Sequence, residues 1–289
     1  MNFFKILLTP ITAPIQFIQN HFKATLLVVI VFFVYQSSSP SDLVTPNLQT
    51  IHLNGAIMDA SFIMEEIEKA KNDANIKGVL LDVNSPGGAV APSVEIAYAI
   101  KELNAIKPVV AYASGTMASG SYYSSIWASK IVANPGSMIG SIGVIMQSVD
   151  ASELMSKLGV KTQTVKMGAY KEAGTPTRQW TKAEKQELDK VIGNTYDMFV
   201  GDVASARKLK VEDKNKFADA HIFTSIQAKN VGLIDTVATI NEAKKMVQIM
   251  AKVKDPVWNK KDKIEKFLEK FANEVVSKIG FNTTTLVAY

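Results

Sequence analysis

The chain has no cysteine among its 289 residues and only three histidines. The first absence excludes disulfides, thiolate nucleophiles and cysteine-ligated zinc, and leaves the redox compartment open, since a large domain needs no bridges. His21, His52 and His221 are far apart, and none has the H-x-x-x-H spacing of a helical zinc pair. No metal, no cofactor and no histidine-based triad is expected. Acidic residues are missing from Asn104 through Val149, so a nucleophile in that stretch must draw its base from elsewhere in the chain. An excess of one charge sign is missing from the body too. The net charge is +5, yet residues 46–239 carry 20 basic and 20 acidic side chains, and residues 240–289 carry ten lysines against six acids. A neutral body has no groove of positive charge to neutralise phosphates, which argues against a nucleic-acid partner.

Long apolar runs are scarce, although 47% of the residues are apolar. The most pronounced, Ala24 to Tyr35, is twelve residues long, follows Lys5 and Lys23, and precedes Gln36-Ser-Ser-Ser-Pro40. A spanning helix needs roughly 17 to 25 residues, and a signal-peptide core about 7 to 15. With Phe22 and the stem of Lys23 at one end and the serines among headgroups at the other, the run is read as a short uncleaved span, the alternatives being a signal peptide cleaved near Ser37 to Ser39 and a buried core helix. Its lysines then hold the N-terminus in the cytoplasm and place the body across the membrane. Residues 1–45 are read as cytoplasmic N-terminus and anchor, 46–250 as one globular domain, and 251–289 as a basic amphipathic helix. In that helix Ile264, Phe267, Leu268, Phe271, Val275 and Ile279 form one side, suited to packing on the body or on a neighbouring subunit.

The body alternates strand-like and helix-like segments, as α/β folds do. Strands are expected at Gln49 to Ile57, Lys77 to Val83, Pro108 to Ala113 and Ile131 to Ala133. Helices are expected at Ala60 to Ala74, Val90 to Leu103 and Thr181 to Lys208. The last opens with Thr181 and Glu184 spaced as a capping box, and its expected buried stripe is Leu188, Val191, Ile192, Phe199 and Val200.

Two glycine-rich turns follow strands, where open α/β folds build their sites: Asn84-Ser-Pro-Gly-Gly88 and Gly115-Thr-Met-Ala-Ser-Gly-Ser-Tyr-Tyr123. Glycine lets backbone N–H groups approach a ligand closely, which an oxyanion site requires. Phosphate binding does not fit, because Ser121 follows Gly120 where a P-loop needs lysine. The G-x-S-x-G elbow fails as well, since Met117 and Ser121 flank Ser119 two residues away. Lys171, in Gly168-Ala-Tyr-Lys171, is the candidate base. A neutral amine can accept a serine proton where desolvation lowers a lysine pKa from about 10.4 towards neutrality.

Asn84 to Gly88, Gly115 to Tyr123, Pro135-Gly-Ser-Met-Ile-Gly-Ser-Ile-Gly-Val144 and Gly168 to Lys171 occur in that order. Phe223-Thr-Ser-Ile-Gln-Ala228 and Gly232-Leu-Ile-Asp235 follow. The set resembles the signal peptide peptidase A family, bacterial membrane-bound serine proteases of the Clp-protease/crotonase superfamily, over about residues 48 to 245. The resemblance implies that fold, an N-terminal transmembrane helix, a Ser-Lys dyad and no cofactor. It implies Ser119 as nucleophile and Lys171 as general base. Ser141 would orient the lysine amine, and Gly88 and Gly120 would be the oxyanion-hole donors. One copy of the motif set matches the short form, in which each subunit carries its own dyad and subunits form a dome-like homo-oligomeric ring. The implied activity is degradation of cleaved signal peptides or similar apolar peptides at a bacterial inner membrane, with the catalytic domain facing the periplasm or exterior. Ser121 departs from the family's frequent glycine and places a second hydroxyl beside Ser119; Thr175-Pro176 replaces Ser-Pro. Two other functions compete: an acyl-CoA hydratase or isomerase of crotonase type, which wants a carboxylate near the second turn, and a non-catalytic membrane scaffold.

Overall fold

The computed structural model describes residues 20–28 and 45–259. These fall into two compact units, residues 20–28 with Thr45 in one and Pro46–Asn259 in the other. Residues 22–28 are helical, and the rest of the apolar run to Tyr35 lies outside the described residues. Among the described residues no helix is long and apolar enough to cross a membrane. The amphipathic segment from Lys260 onward also lies outside them.

The larger unit is built on a seven-stranded sheet. Its strands are β1 (Leu48–Asn54), β2 (Gly78–Ser85), β3 (Val109–Ala118), β4 (Lys130–Ala133), β5 (Met138–Gly140), β6 (Ile222–Thr224) and β7 (Thr236–Val237). The main path is β1-β2-β3-β4-β7, with β5 paired to β3 and β6 to β5. Every pairing is parallel except β5 with β6. Burial on both faces accounts for the nearly continuous apolar strands VLL and VVAYA. On one face, Ile51, Leu81, Val83 and Ala111 pack with α1 (Ser61–Asn72) and α2 (Val90–Ile106). On the other, Leu48, Leu80, Val110 and Val132 pack against Ala243 and Val247 of α8 (Ile240–Met250). Between these lie α3 (Gly120–Ser125), α4 (Ser152–Lys157), α5 (Lys182–Arg207), α6 (Lys214–Phe217) and α7 (Ser225–Asn230).

Two departures from the expected elements bear on the site. First, β3 does not stop at Ala113 but continues through the Gly-Ser stretch to Ala118. Its register with β2 slips, Val83 opposing Ala113 but Ser85 opposing Met117. The Asn84 side chain fills the irregularity by accepting from the Thr116 N–H at 3.0 Å. β3 also changes neighbour there, pairing with β4 up to Ala113 and with β5 from Thr116. Second, α5 starts as expected, with both bonds of the Thr181–Glu184 capping box formed. Its expected stripe is buried only in the C-terminal half, at Phe199 and Val200, joined by Val203 and Ala204. Leu188 and Ile192 are half-buried and Val191 is exposed, because the first half of α5 does not lie on the sheet.

Candidate functional site

The end of β3 is where the strand turns into α3, and Ser119 is the turning residue, with φ 52° and ψ −125°. This backbone conformation is costly for a residue with a Cβ, and such residues concentrate at functional sites. The turn is held in place rather than relaxed. Ser119 donates its N–H to the Gly140 carbonyl at 2.8 Å, and its own carbonyl accepts from Tyr123 N–H at 3.0 Å. Because Ala118 is in register with Gly140, Ser119 and Ser141 are the next residues out on adjacent strands. Ser141 likewise has a positive φ, 51°, and donates its N–H to the His221 carbonyl at 2.7 Å.

The two expected oxyanion donors meet at this turn. Gly88 forms a parallel bridge with Ile57, in which Gly87 C=O and Ala89 N–H take the Ile57 backbone groups. That pattern turns the Gly88 N–H to the opposite side. Gly120 is the first residue of α3, where an N–H has no acceptor within the helix. The two glycines are close enough that a Cβ on Gly120 would lie 3.2 Å from the Gly88 nitrogen. A Cβ on Gly88 would lie 2.1 Å from the Ile57 backbone oxygen, which leaves no room for a side chain, and one on Gly120 would lie 2.2 Å from Ser93 Oγ, which would have to turn away.

A cavity of about 420 Å³ opens here, lined by Gly88, Ser119 and Ser141 with Val90, Val144 and Ile145, and with Tyr196, Asp219 and Ala220. A smaller apolar recess of about 30 Å³ adjoins it, reaching Gly120, Val94, Tyr123, Met198 and Phe199. At its floor the Tyr123 hydroxyl donates to the Asp202 carboxylate, and the ring packs edge-on to Phe199 at 4.8 Å. Burial, with the neighbouring Asp202, pushes the Tyr123 phenol well above its ordinary range. Ser121 is not a second exposed hydroxyl. It is fully buried, accepts from Ala118 N–H at 2.9 Å and reaches the Ser85 carbonyl at 2.7 Å.

Thus four of the five expected site residues, Ser119, Ser141, Gly88 and Gly120, converge within one chain. Lys171 lines neither cavity. It sits exposed on a turn between Gly168 and Thr175, in a long arm connecting β5 to α5. That turn is fixed by charge. Glu172 binds Lys166 at 2.6 Å and Arg178 at 3.1 Å, and Arg178 also binds Glu184 at 2.7 Å. The two carboxylates are held far below their ordinary range, to about 2, Glu172 by Lys166 and then Arg178, Glu184 by Arg178 and the Thr181 N–H. The Trp180 indole N–H donates to the Thr175 carbonyl at 2.8 Å.

Tyr196 and Asp219 line the cavity without having been marked by any motif. Asp219 brings a carboxylate to the cavity from far along the chain. Among the described residues no group of three His, Cys, Asp or Glu side chains is placed to hold a metal ion. His52 pairs with Asp82 at 3.2 Å on the sheet.

Comparison with known proteins finds that the family described as peptidase family S49 matches residues 101–254. A Methanocaldococcus jannaschii protein named "Putative protease" is 43% identical over 198 residues, 68% of this chain and 64% of that one. An Enterococcus faecium protein named "Putative signal peptide peptidase SppA" is 36% identical over 184 residues, 62% of this chain and 53% of that one. A Synechocystis protein also named "Putative protease" is 35% identical over 218 residues, 74% of this chain and 76% of that one. The chain therefore spans less than two thirds of the length of the first two. Among solved structures, Listeria monocytogenes ClpP1 overlays with a TM-score of 0.48 at 15% identity, covering 67% of this chain and 93% of that one.

Proposed function

We propose, from the premise that this chain belongs to peptidase family S49, that it is a serine endopeptidase with Ser119 as its nucleophile. The observation that carries the reading is Ser119 itself, held in a strained strand-to-helix turn beside the inward N–H groups of Gly88 and Gly120. Ser119 Oγ adds to the scissile carbonyl carbon as its proton passes to a base. The carbonyl oxygen becomes an oxyanion between the two N–H donors, which bind it more strongly than they bind the ground-state carbonyl. Collapse breaks the C–N bond, the amine leaves with the proton, and water then hydrolyses the acyl-serine.

Lys171 is the base in this proposal and Ser141 orients its amine. A second copy of the chain brings the lysine to the cavity, so that the dyad is shared between subunits rather than carried within each as the resemblance implies, because the arm bearing Lys171 also bears apolar side chains that the described chain leaves uncovered. Ile145, Val149, Leu154, Leu158, Val165 and Met167 are all more than 60% exposed. An occupant that buries this surface and receives Lys171 in its own Ser119 cavity satisfies both needs, and it supports a homo-oligomeric assembly.

The substrates we infer are cleaved signal peptides or similar apolar peptides, supported by the valine and isoleucine lining of the larger cavity and the valine, methionine and phenylalanine lining of the recess. The parallel sheet with its nucleophile turn supports a Clp-protease/crotonase-like fold. The apolar run from Ala24, with its preceding lysines, supports a single-pass anchor in a bacterial inner membrane and a catalytic unit facing the periplasm or exterior. Recovery of the full-length protein in the pellet after alkaline carbonate extraction is expected; release into the supernatant would contradict the anchor. For the chemistry, Ser119→Ala and Lys171→Ala each lower hydrolysis of an apolar quenched-fluorescence peptide by roughly three orders of magnitude. A mixture of the two inactive variants, dissociated and reassembled together, regains activity. Wild-type rates in both single variants would show the dyad assignment to be wrong.

A further inference from the structure

The cavity around Ser119 is lined by one charged side chain among the described residues, Asp219, and the reaction above does not use it. Asp219 lies in the turn between α6 and β6, where it and Ala220 are consecutive residues of left-handed backbone, with φ 58° and 57°. Alanine has no side-chain hydrogen bond to offset that conformation. The turn is nevertheless fixed on several sides. Asp219 donates its N–H to the Tyr196 hydroxyl at 3.2 Å, Ala220 donates to the Ile142 carbonyl at 2.9 Å, and His221 accepts from Ser141. The surrounding structure therefore imposes the strained pair and fixes Asp219 at the cavity rim beside the Ser141 loop.

The carboxylate is exposed, and no ion pair joins it to another described side chain. The lysines of its own neighbourhood are engaged elsewhere: Lys216 binds Asp213 at 2.8 Å, and Lys214 lies 5.5 Å above the Tyr196 ring. The remaining lining is apolar side chains, hydroxyls and backbone. In such a site the Asp219 charge opposes the oxyanion that forms on Ser119 attack, because like charges in one partly enclosed cavity repel, and the single Lys171 ammonium that the proposed second copy supplies cannot fully offset both. A cation on the substrate removes that opposition and gains an ion pair.

We propose that Asp219 is a specificity-determining residue, selecting peptides that carry a lysine or arginine close to the bond being cut. The inference rests on the serine peptidase reading and adds a charged element to a cavity otherwise suited to apolar residues. Asparagine tolerates left-handed backbone about as well as aspartate, so Asp219→Asn removes the charge and leaves the turn.

The test is a set of quenched-fluorescence peptides in which one lysine is moved across the positions flanking a single cleavage site. Each is matched by the same peptide with norleucine, a neutral side chain of similar length, and kcat/KM is measured with the full-length protein. At one position or more, the wild type prefers lysine by about fivefold, the factor expected of a partly screened ion pair. Asp219→Asn brings that ratio to about one, Asp219→Glu retains a preference, and raising the salt concentration weakens it. Cleavage without preference at any position, or a preference that Asp219→Asn leaves intact, overturns the proposal. So does an equal loss on both peptides with a shifted pH profile, which would assign Asp219 to the base instead. Failure of the wild type to cleave any peptide would overturn the peptidase reading and this inference with it.

Discussion

Replacing Ser121 with alanine separates the structural hydroxyl of the second glycine-rich turn from the reactive one. Ser121 Oγ is fully buried and links Ala118 N–H to the Ser85 carbonyl, at 2.9 and 2.7 Å. It joins the end of β3 to the end of β2 immediately before the turn at Ser119. Alanine fits the space but leaves a buried donor and a buried acceptor without that partner. Each costs about 1–3 kcal/mol, so Ser121→Ala destabilises the unit by about 2–6 kcal/mol. For a unit of about 200 residues this lowers Tm by roughly 4–24 °C. Urea unfolding followed by far-ultraviolet circular dichroism gives the free energy, and mass spectrometry of a fluorophosphonate adduct gives the reactive serine. The folded variant is expected to retain labelling at Ser119, with the label tracking the folded fraction as temperature rises. A loss below about 0.5 kcal/mol, or loss of labelling in a protein as stable as wild type, would refute the buried-bridge assignment.

Gly88→Ala places a Cβ 2.1 Å from the Ile57 backbone oxygen, so the Gly87–Gly88 segment must move and carry its N–H out of line; kcat falls by about 10²–10³ if an oxyanion donor is lost, and unchanged kcat would contradict that role. Thr181→Ala removes the side-chain half of the α5 capping box and costs about 1 kcal/mol in urea unfolding, whereas a neutral result would mean that the box is not maintained in solution. Glu172 and Glu184 have folded pKa values lowered to about 2, so their contribution to arm stability is present above the ordinary carboxylate range and is lost as pH falls from about 4.5 towards 2. Trp180 fluorescence, read with Trp127→Phe and Trp258→Phe in place, should change across that window, and a flat signal would contradict the ion-pair network.

The α/β order was legible because apolar runs and helical periods report burial locally. Both ends of α5 were legible as well, Thr181 and Glu184 being a local capping pattern. The extension of β3 to Ala118 was not, since Ser114, Gly115 and Thr116 read as loop. Their strand geometry depends on the distant Asn84 side chain filling the register slip. The α5 stripe misled for a different reason: Leu188, Val191 and Ile192 have the period of a buried face, but the first half of the helix leaves the sheet. The two glycine turns and the serine were legible because chemistry demands glycine where N–H groups must approach. Asp219 and Tyr196 carried no such signal. Asp219 reaches the cavity through a left-handed turn whose second residue is alanine, and Tyr196 through the packing of α5.

The central claim, that Ser119 is the nucleophile of this chain, is tested most directly by reacting the full-length protein with a fluorophosphonate probe and mapping the adduct by mass spectrometry. The account predicts a single modified serine, Ser119, with no adduct in the Ser119→Ala variant. An adduct on Ser121 or Ser141, or undiminished labelling of Ser119→Ala, would contradict it.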